Sequence, residues 1–165
     1  RGLPLAVSNT ELRAGMLSLM GDAYHALGDH TASDDAYEKS IQLSPQDVFT
    51  LNNYAYYLSL RKEKLDRAAE LALSANKLNP GNASLQDTYA WVLYQQGNYA
   101  EARIWVEKAL STGGEKSGVI HEHYGDILYR LGETEQALEQ WKKARQLGET
   151  SEQIEQKIAS GKLTD

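Results

Sequence analysis

The triplet His121-Glu122-His123 comes closest in residue type to a metal or catalytic site. On a helix, residues two apart point in different directions, so the two histidines do not share a face. The zinc-protease arrangement needs a second histidine four residues after the first, and that position is Gly125. We therefore expect surface histidines near a helix start rather than metal ligands.

Other groupings also lack the spacing that chemistry requires. Asp29, Asp34 and Asp35 lie around a turn without the glycine and ligand spacing of a calcium loop. The sequence has no glycine-rich phosphate loop and no nucleophile elbow. It also has no cysteine, which excludes disulfides and thiolate sites. We expect no catalytic residue, no metal and no cofactor, and we predict that the chain is not an enzyme.

The charge balance restricts the class of partner. The 165 residues carry a net charge of −6, whereas nucleic-acid binding relies on clustered Lys and Arg, so we expect no nucleic-acid partner. No apolar run approaches the ~20 residues of a membrane span, so we expect no direct membrane insertion. Because the sequence begins with Arg1 rather than Met, we expect a fragment or a processed product.

Residues 87–110 read as two amphipathic helices joined by a tight turn. Gly97 ends the first helix, because glycine accepts the left-handed backbone that helix ends often need. Asn98 caps the second helix, with Glu101 as its reciprocal partner three residues later. One helical hairpin cannot bury its apolar face alone, so neighbouring hairpins are required.

The required neighbours come from repetition at steps of 34 or 35 residues. In the first helix of each hairpin the recurring positions are Met20, Tyr54, Tyr89 and Tyr124, then Gly21, Ala55, Ala90 and Gly125, then Tyr24, Leu58, Leu93 and Leu128. In the second helix they are Ser33, Ala68, Ala102 and Ala137, then Ser40, Ala75, Ala109 and Ala144. Pro45 and Pro80 close the first two units.

This pattern resembles the tetratricopeptide repeat (TPR), whose unit has 34 residues. The resemblance covers roughly residues 14–151. It implies an all-α, right-handed solenoid of about four helix-turn-helix repeats with a C-terminal capping helix. The segments LNNYAYYLSLR, DTYAWVLYQQG and HYGDILYRLG look like C-terminal repeats of bacterial multi-TPR proteins. Many of those belong to the envelope, so the resemblance implies a bacterial periplasm or envelope location, with the cytoplasm left open.

The predicted organisation follows the repeat. The predicted segments are an N-terminal extension with the start of a long first helix at 1–13, repeats at 14–47, 48–82, 83–117 and 118–150, and a capping helix with a tail at 151–165. The first helix is predicted from about Asn9 to Leu27, after a capping box from Ser8 to Glu11. Later helices are predicted at 31–43, 47–61, 65–78, 83–96, 99–111, 119–131, 134–147 and 151–160.

The resemblance implies that first helices line a concave groove and second helices the convex face. One stripe of the first helices, at i, i+4 and i+7, differs from the predicted core face. The predicted peptide- or partner-binding residues are Asn52, Asn53, Tyr56, Asp87, Trp91, Tyr94, Glu122, Asp126 and Tyr129. In the first repeat the stripe holds Ser18, Asp22 and His25. The predicted groove is aromatic and acidic, and aromatic side chains are favoured at binding hot spots.

Structural interpretations of the same residues remain open. Trp91 and the stripe tyrosines either contact a partner or fill space between successive helices. Asp22, Asp87 and Asp126 are either ligand-binding groups or solvated charges. Asp87 and Asn52 can also cap helices or bond neighbouring backbone.

One TPR subclass binds the C-terminal carboxylate of chaperone peptides with lysines, asparagines and an arginine. Here Ser18 and Asp22 replace the first basic and polar pair, and Asp87 and Trp91 stand where two cations belong. Only Asn53 matches, at the central asparagine. Such a groove would repel a carboxylate, so we predict an extended peptide with basic and apolar side chains, or a partner helix.

Two other functions stay open at this point. The chain is alternatively a structural assembly or spacer segment of a larger multi-TPR protein, acting through its convex face or N-terminal edge. It alternatively recognises substrate for a catalytic domain outside this sequence. A monomer is the expected oligomeric state.

Overall fold

The computed structural model describes residues 3–163, with side chains from residue 9 onward. Within residues 3–163 the chain forms nine α-helices, one 3-10 turn at Gly114–Lys116 and no strand. The helices are α1 (Leu3–Ala26), α2 (His30–Leu43), α3 (Val48–Arg61), α4 (Leu65–Leu78), α5 (Ala83–Gln95), α6 (Tyr99–Ser111), α7 (Gly118–Arg130), α8 (Thr134–Leu147) and α9 (Ile154–Ser160). The predicted all-α class is confirmed.

The helices divide between two compact units, one ending at Asn79 and the other beginning at Pro80. In the first unit α1 packs against α2, and α3 packs against α4. In the second unit α5 packs against α6, α7 packs against α8, and α9 lies on α8. Helices that follow one another along the chain therefore form hairpins, as the repeat predicts.

Asparagine and aspartate side chains begin many of these helices. Asp29, Asp47, Asn82 and Asn98 each accept a hydrogen bond from a backbone N–H in the first turn of the helix that follows. Gly97, at φ 79°, follows α5 and supplies the predicted left-handed helix end. The cap predicted at Asn98 is therefore confirmed.

Small residues lie where the two helices of each hairpin cross. The alanines at the recurring positions are fully buried, namely Ala55, Ala68, Ala75, Ala90, Ala102, Ala109, Ala137 and Ala144. In the last hairpin, a Cβ built at Gly125 of α7 would overlap the indole of Trp141 of α8. The missing side chain of Gly125 thus makes room for a large, fully buried residue.

Helix α1 begins six residues earlier than predicted, at Leu3 rather than at Asn9. Pro4 falls in the first turn, where a backbone N–H would have no helical partner. The span from Ser8 to Glu11 lies inside the helix, so the predicted capping box is wrong. The other helix bounds agree with the predicted ones within one residue as far as Leu147, and α9 begins at Ile154.

No helix in the described part of the chain is both long and apolar enough to span a bilayer.

Replacing Gly125 by alanine is expected to lower the free energy of unfolding by about 1–3 kcal/mol, because the added methyl group displaces the Trp141 ring. Gly15→Ala is the matched control, since it adds a methyl group in α1 where nothing lies within 4 Å. The control is expected to gain about 0.5–1 kcal/mol from helix propensity. Urea denaturation followed by circular dichroism measures both, and equal stabilities would contradict the packing of Trp141 against Gly125.

Candidate partner-binding site

The predicted partner-binding residues all lie on α3, α5 and α7, the first helices of their hairpins, but their exposure differs. Six are partly exposed, namely Asn52, Asn53, Tyr56, Trp91, Tyr94 and Tyr129. The acids Asp87, Glu122 and Asp126 are buried, with 8%, 4% and 4% of their surfaces exposed. The interpretation of Asp87 and Asp126 as solvated charges is therefore wrong, and each buried acid needs an internal partner.

Asp87 of α5 is paired with His123 of α7. The Nδ1 atom of His123 lies 3.0 Å from both carboxylate oxygens of Asp87. Burial alone would lower the pKa of His123, but Asp87, with smaller contributions from Asp126 and Glu122, outweighs burial and raises that pKa. The pair is therefore a charge-assisted contact between two consecutive first helices.

The indole of Trp91 is enclosed between two rings. Its centroid lies 4.6 Å from that of Tyr94 at an interplanar angle of 7°, and 4.0 Å from that of His123 at 15°. Two rings at these distances cannot share one face, so they cover opposite faces. Nε1 of Trp91 is also covered and has no hydrogen-bond partner in the described chain. These contacts favour a space-filling role for Trp91, with a cation–π contribution from His123 when it is protonated.

Lys157 of α9 lies between the two acids of α7. Its Nζ atom is 2.8 Å from Oε1 of Glu122, and 2.9 and 2.8 Å from Oδ1 and Oδ2 of Asp126. The side chain of Lys157 is only 5% exposed. An ammonium group has three hydrogen-bond donors, and three carboxylate oxygens lie within reach of this one.

Further donors complete the surroundings of the two acids. Nε1 of Trp141 donates to Oδ1 of Asp126 at 2.9 Å, and the Ser151 backbone N–H donates to Oε2 of Glu122 at 2.7 Å. The Ser151 hydroxyl donates to Oε1 of Glu122. Burial alone would raise the pKa of Glu122, but hydrogen bonds from Lys157 and Ser151 lower it; burial prevails at Asp126 and raises its pKa.

The first unit presents a different surface, built on α1 and α3. Oδ1 of Asp22 accepts a hydrogen bond from Nδ2 of Asn53 at 3.5 Å. The ring of His25 stacks on that of Tyr57, with centroids 3.7 Å apart, and Tyr56 lies beside Tyr57 at 6.2 Å. This surface is rich in aromatic and amide groups and includes Tyr57, which the predicted stripe omits.

The prediction that the His121-Glu122-His123 triplet carries surface histidines is wrong. His121 and His123 are 3% and 8% exposed. Nδ1 of His121 lies 2.7 Å from Oε1 of Gln140, and its Nε2 lies 3.1 Å from the backbone oxygen of Glu115. Within the residues that the structure describes, no group of three or more His, Asp or Glu side chains is placed to hold a metal ion.

Comparison with known proteins gives one family. A family model described as tetratricopeptide repeat matches residues 56–153, and a second with the same description matches residues 14–47. The chain is 36% identical to TPR repeat-containing protein PA4667 of Pseudomonas aeruginosa over 70 residues, which cover 42% of the chain and 12% of that protein. It is 32% identical to intraflagellar transport protein 70A of Bos taurus over 141 residues, which cover 81% of the chain and 21% of that protein. The chain thus spans a small part of either relative.

Solved structures with similar folds include three bacterial proteins. Pseudomonas aeruginosa pilF has a TM-score of 0.73 at 19% identity, covering 90% of this chain and 72% of that one. A thermophilic TPR protein of Thermus thermophilus has a TM-score of 0.73 at 17% identity, with coverages of 88% and 79%. MamA of Desulfovibrio magneticus RS-1 has a TM-score of 0.71 at 19% identity, with coverages of 81% and 75%. These similarities show the fold.

Replacing His123 by glutamine is expected to flatten the pH dependence of stability. The pKa of His123 is raised above 6.5 in the folded state. Its contribution is therefore fully present below pH 6.5 and is lost as the pH rises through the folded-state pKa. Urea denaturation at intervals from about pH 6 to about pH 9 should show a decline in wild type that His123→Gln lacks.

The exposed His30 provides the control for this comparison. His30→Gln keeps the buried pair and should therefore follow the wild-type pH dependence. A His123→Gln variant that loses stability as steeply as wild type would show that another group titrates. Asp87, Asp126 and Glu122, the acids that act on His123, are intact in both variants.

Replacing Lys157 by methionine keeps an apolar stem but removes the charge between two buried acids. We expect the free energy of unfolding to fall by about 3 kcal/mol, which is at the low end for breaking a buried ion pair. The cost is limited because Asp126, with its raised pKa, can take up a proton. Lys162→Met removes an exposed lysine and should change stability by about 0.5 kcal/mol or less. Equal free energies of unfolding in urea would contradict the described contacts of Lys157.

Proposed function

The chain belongs to the tetratricopeptide repeat family, and from that premise we propose that it binds an extended peptide or a partner helix on the first helices of its hairpins. Repeats of this family serve in general as protein–protein interaction scaffolds. The observation that carries the proposal is the set of partly exposed aromatic and amide side chains that remains on α3, α5 and α7 after the acids are paired internally.

In the first unit the proposed contact surface lies on α3. Asn53 offers an amide group that can both donate to and accept from a peptide backbone, whereas Oδ1 of Asn52 is covered, which leaves its amide nitrogen as a possible donor. Tyr56 supplies contact area one turn later. Phe49 begins the same face of α3 and is 80% exposed, so it extends the surface towards the start of the helix.

In the second unit the proposed contacts are Tyr94 and Tyr129. Burial raises the pKa of Tyr94 further above its already high ordinary value, and Nε of Arg130 donates to the hydroxyl of Tyr94 at 3.3 Å. We propose that Asp87 and Trp91 act by positioning α5 against α7 rather than by touching the partner.

The proposed ligand is not an acidic C-terminal tail. Asp22 lies beside Asn53, at 3.5 Å, and would repel a carboxylate placed at that amide. The hydroxyl of Ser18 already accepts a hydrogen bond from Thr50 at 2.8 Å. A protein or peptide segment with apolar and basic side chains fits these surroundings better, and the net charge of −6 favours it over nucleic acid.

A second candidate function rests on α1. Leu12, Met16, Leu19 and Met20 are 63%, 58%, 69% and 44% exposed. Their spacing places them on one face of the helix, and exposed apolar stripes of this kind mark interaction surfaces in soluble proteins. In this candidate function the chain is an assembly segment of a longer protein and makes its contacts through its N-terminal edge.

Affinity capture from an extract of the source cell separates the two candidates. We expect Tyr56→Ala/Tyr94→Ala to reduce capture of the partner by about tenfold or more, because tyrosines that become buried on binding dominate many binding surfaces. Ile104→Ala, which truncates an exposed residue on the second helix α6, is the control and should capture normally. Circular dichroism checks that each variant is folded.

The N-terminal edge needs its own variant in the same experiment. Met16→Glu/Leu19→Glu places two charges on the exposed stripe of α1. If the partner binds on α3, α5 and α7, this variant should capture it as wild type does. Capture that is lost in this variant and kept in Tyr56→Ala/Tyr94→Ala would reject the first proposal in favour of the assembly role.

A further inference from the structure

Helix α9 covers the last hairpin with three side chains, of which two are aliphatic and one is basic. Ile154 belongs to the buried apolar cluster that also contains Trp141 and Ala144 of α8, and Ile158 packs against that cluster. Between the two isoleucines, Lys157 carries its ammonium group to Glu122 and Asp126 of α7. The surface beneath α9 therefore holds one basic group flanked by two aliphatic groups.

Glu122 and Asp126 are also two of the positions that the repeat pattern assigns to partner contact. We propose that the surface of α7 and α8 beneath α9 is a receptor for a helix that presents a lysine between two aliphatic side chains, and that α9 is the chain's own competing occupant. The inference rests on the proposed function, since it names the chemistry of the partner at the last first helix of the second unit.

The geometry selects lysine over other basic or neutral side chains. Three carboxylate oxygens lie 2.8–2.9 Å from Nζ, which matches the three donors of a compact ammonium group. The planar guanidinium of arginine presents its donors in a fixed fork that suits one carboxylate, so we expect it to fit three oxygens of two carboxylates less well. A neutral residue leaves two buried carboxylates without a cation, which is strongly unfavourable.

The occupant is also built to be displaceable. Helix α9 has seven residues, well below the length at which an isolated helix is stable in water, so its helical form depends on the receptor. The receptor can be vacated without breaking any contact within the α5–α6 hairpin. Because α9 is tethered, it binds at a high effective concentration, and a partner must compete with it.

A fluorescent peptide of residues 149–162 tests the receptor directly. We expect it to bind at least about tenfold more tightly to Lys157→Ala, and to Ile154→Ala/Ile158→Ala, than to the wild-type chain. The two variants release α9 through different contacts, and both keep Glu122 and Asp126. Fluorescence anisotropy measures affinity, circular dichroism checks the folds, and the exposed-site variant Lys162→Ala should behave as wild type.

Peptide variants test the selectivity for lysine. A peptide with alanine or acetyl-lysine at position 157 should lose binding to the released chains, and one with arginine should bind more weakly. Folded release variants that bind the peptide no better than wild type would overturn the proposal. So would equal binding of the lysine and alanine peptides.

Hydrogen exchange on the wild-type chain gives a measurement that needs no variant. Excess peptide should speed amide exchange in α9, and unchanged exchange at peptide concentrations well above the roughly millimolar effective concentration of the tethered helix would overturn the proposal. The probe is a segment of this chain, so the outcome does not depend on a cellular partner. Partner capture that is kept in Tyr56→Ala/Tyr94→Ala, together with the expected peptide binding, would instead reject the proposed function.

Discussion

Internal pairing of buried charge is the constraint on which the second unit depends. Three carboxylates lie on the faces where α5 and α7 meet their neighbours, and an unpaired buried charge would cost several kcal/mol. His123 meets the acid of α5, and Lys157 meets both acids of α7. His123 also stacks on Trp91, and Lys157 belongs to α9. The aromatic stack and the docking of α9 are therefore tied to the same charge pairing. In this unit the packing of the helices and the pairing of the buried charges therefore depend on the same residues.

The sequence was sufficient for the fold because its signals are periodic and local. Alanines and glycines that recur at 34 or 35 residues mark helix crossings, and Asn98 or Gly97 mark helix ends by their own backbone chemistry. The start of α1 was mispredicted because Pro4 is equally compatible with a helix start and with irregular chain. Periodicity thus locates a helix end well where the residue at that end is compatible with only one local structure.

The site was harder to predict because burial depends on contacts between repeats. The stripe of Asp87, Trp91 and Glu122 was correctly placed on first helices, but which of its members face solvent is decided by residues a whole repeat away. His123 lies 36 residues after Asp87, and Lys157 lies 35 after Glu122. Lys157 stands one repeat after Glu122, so the repeat spacing alone could have indicated that these two residues are neighbours.

The position of α9 follows the repeat of the preceding hairpins. Since Lys157 stands one period after Glu122, α9 keeps the register of the preceding first helices and occupies the place of a fifth one. Glu122 and Asp126 of α7 require a cation between them, and any helix that supplies one at this position can meet that requirement. Another hairpin could therefore be grafted in place of α9, with α7 and α8 unchanged, provided that it carries a lysine at that register and aliphatic side chains in the places of Ile154 and Ile158. Extension beyond α8 would then depend on these three side chains and not on a change in α7 or α8.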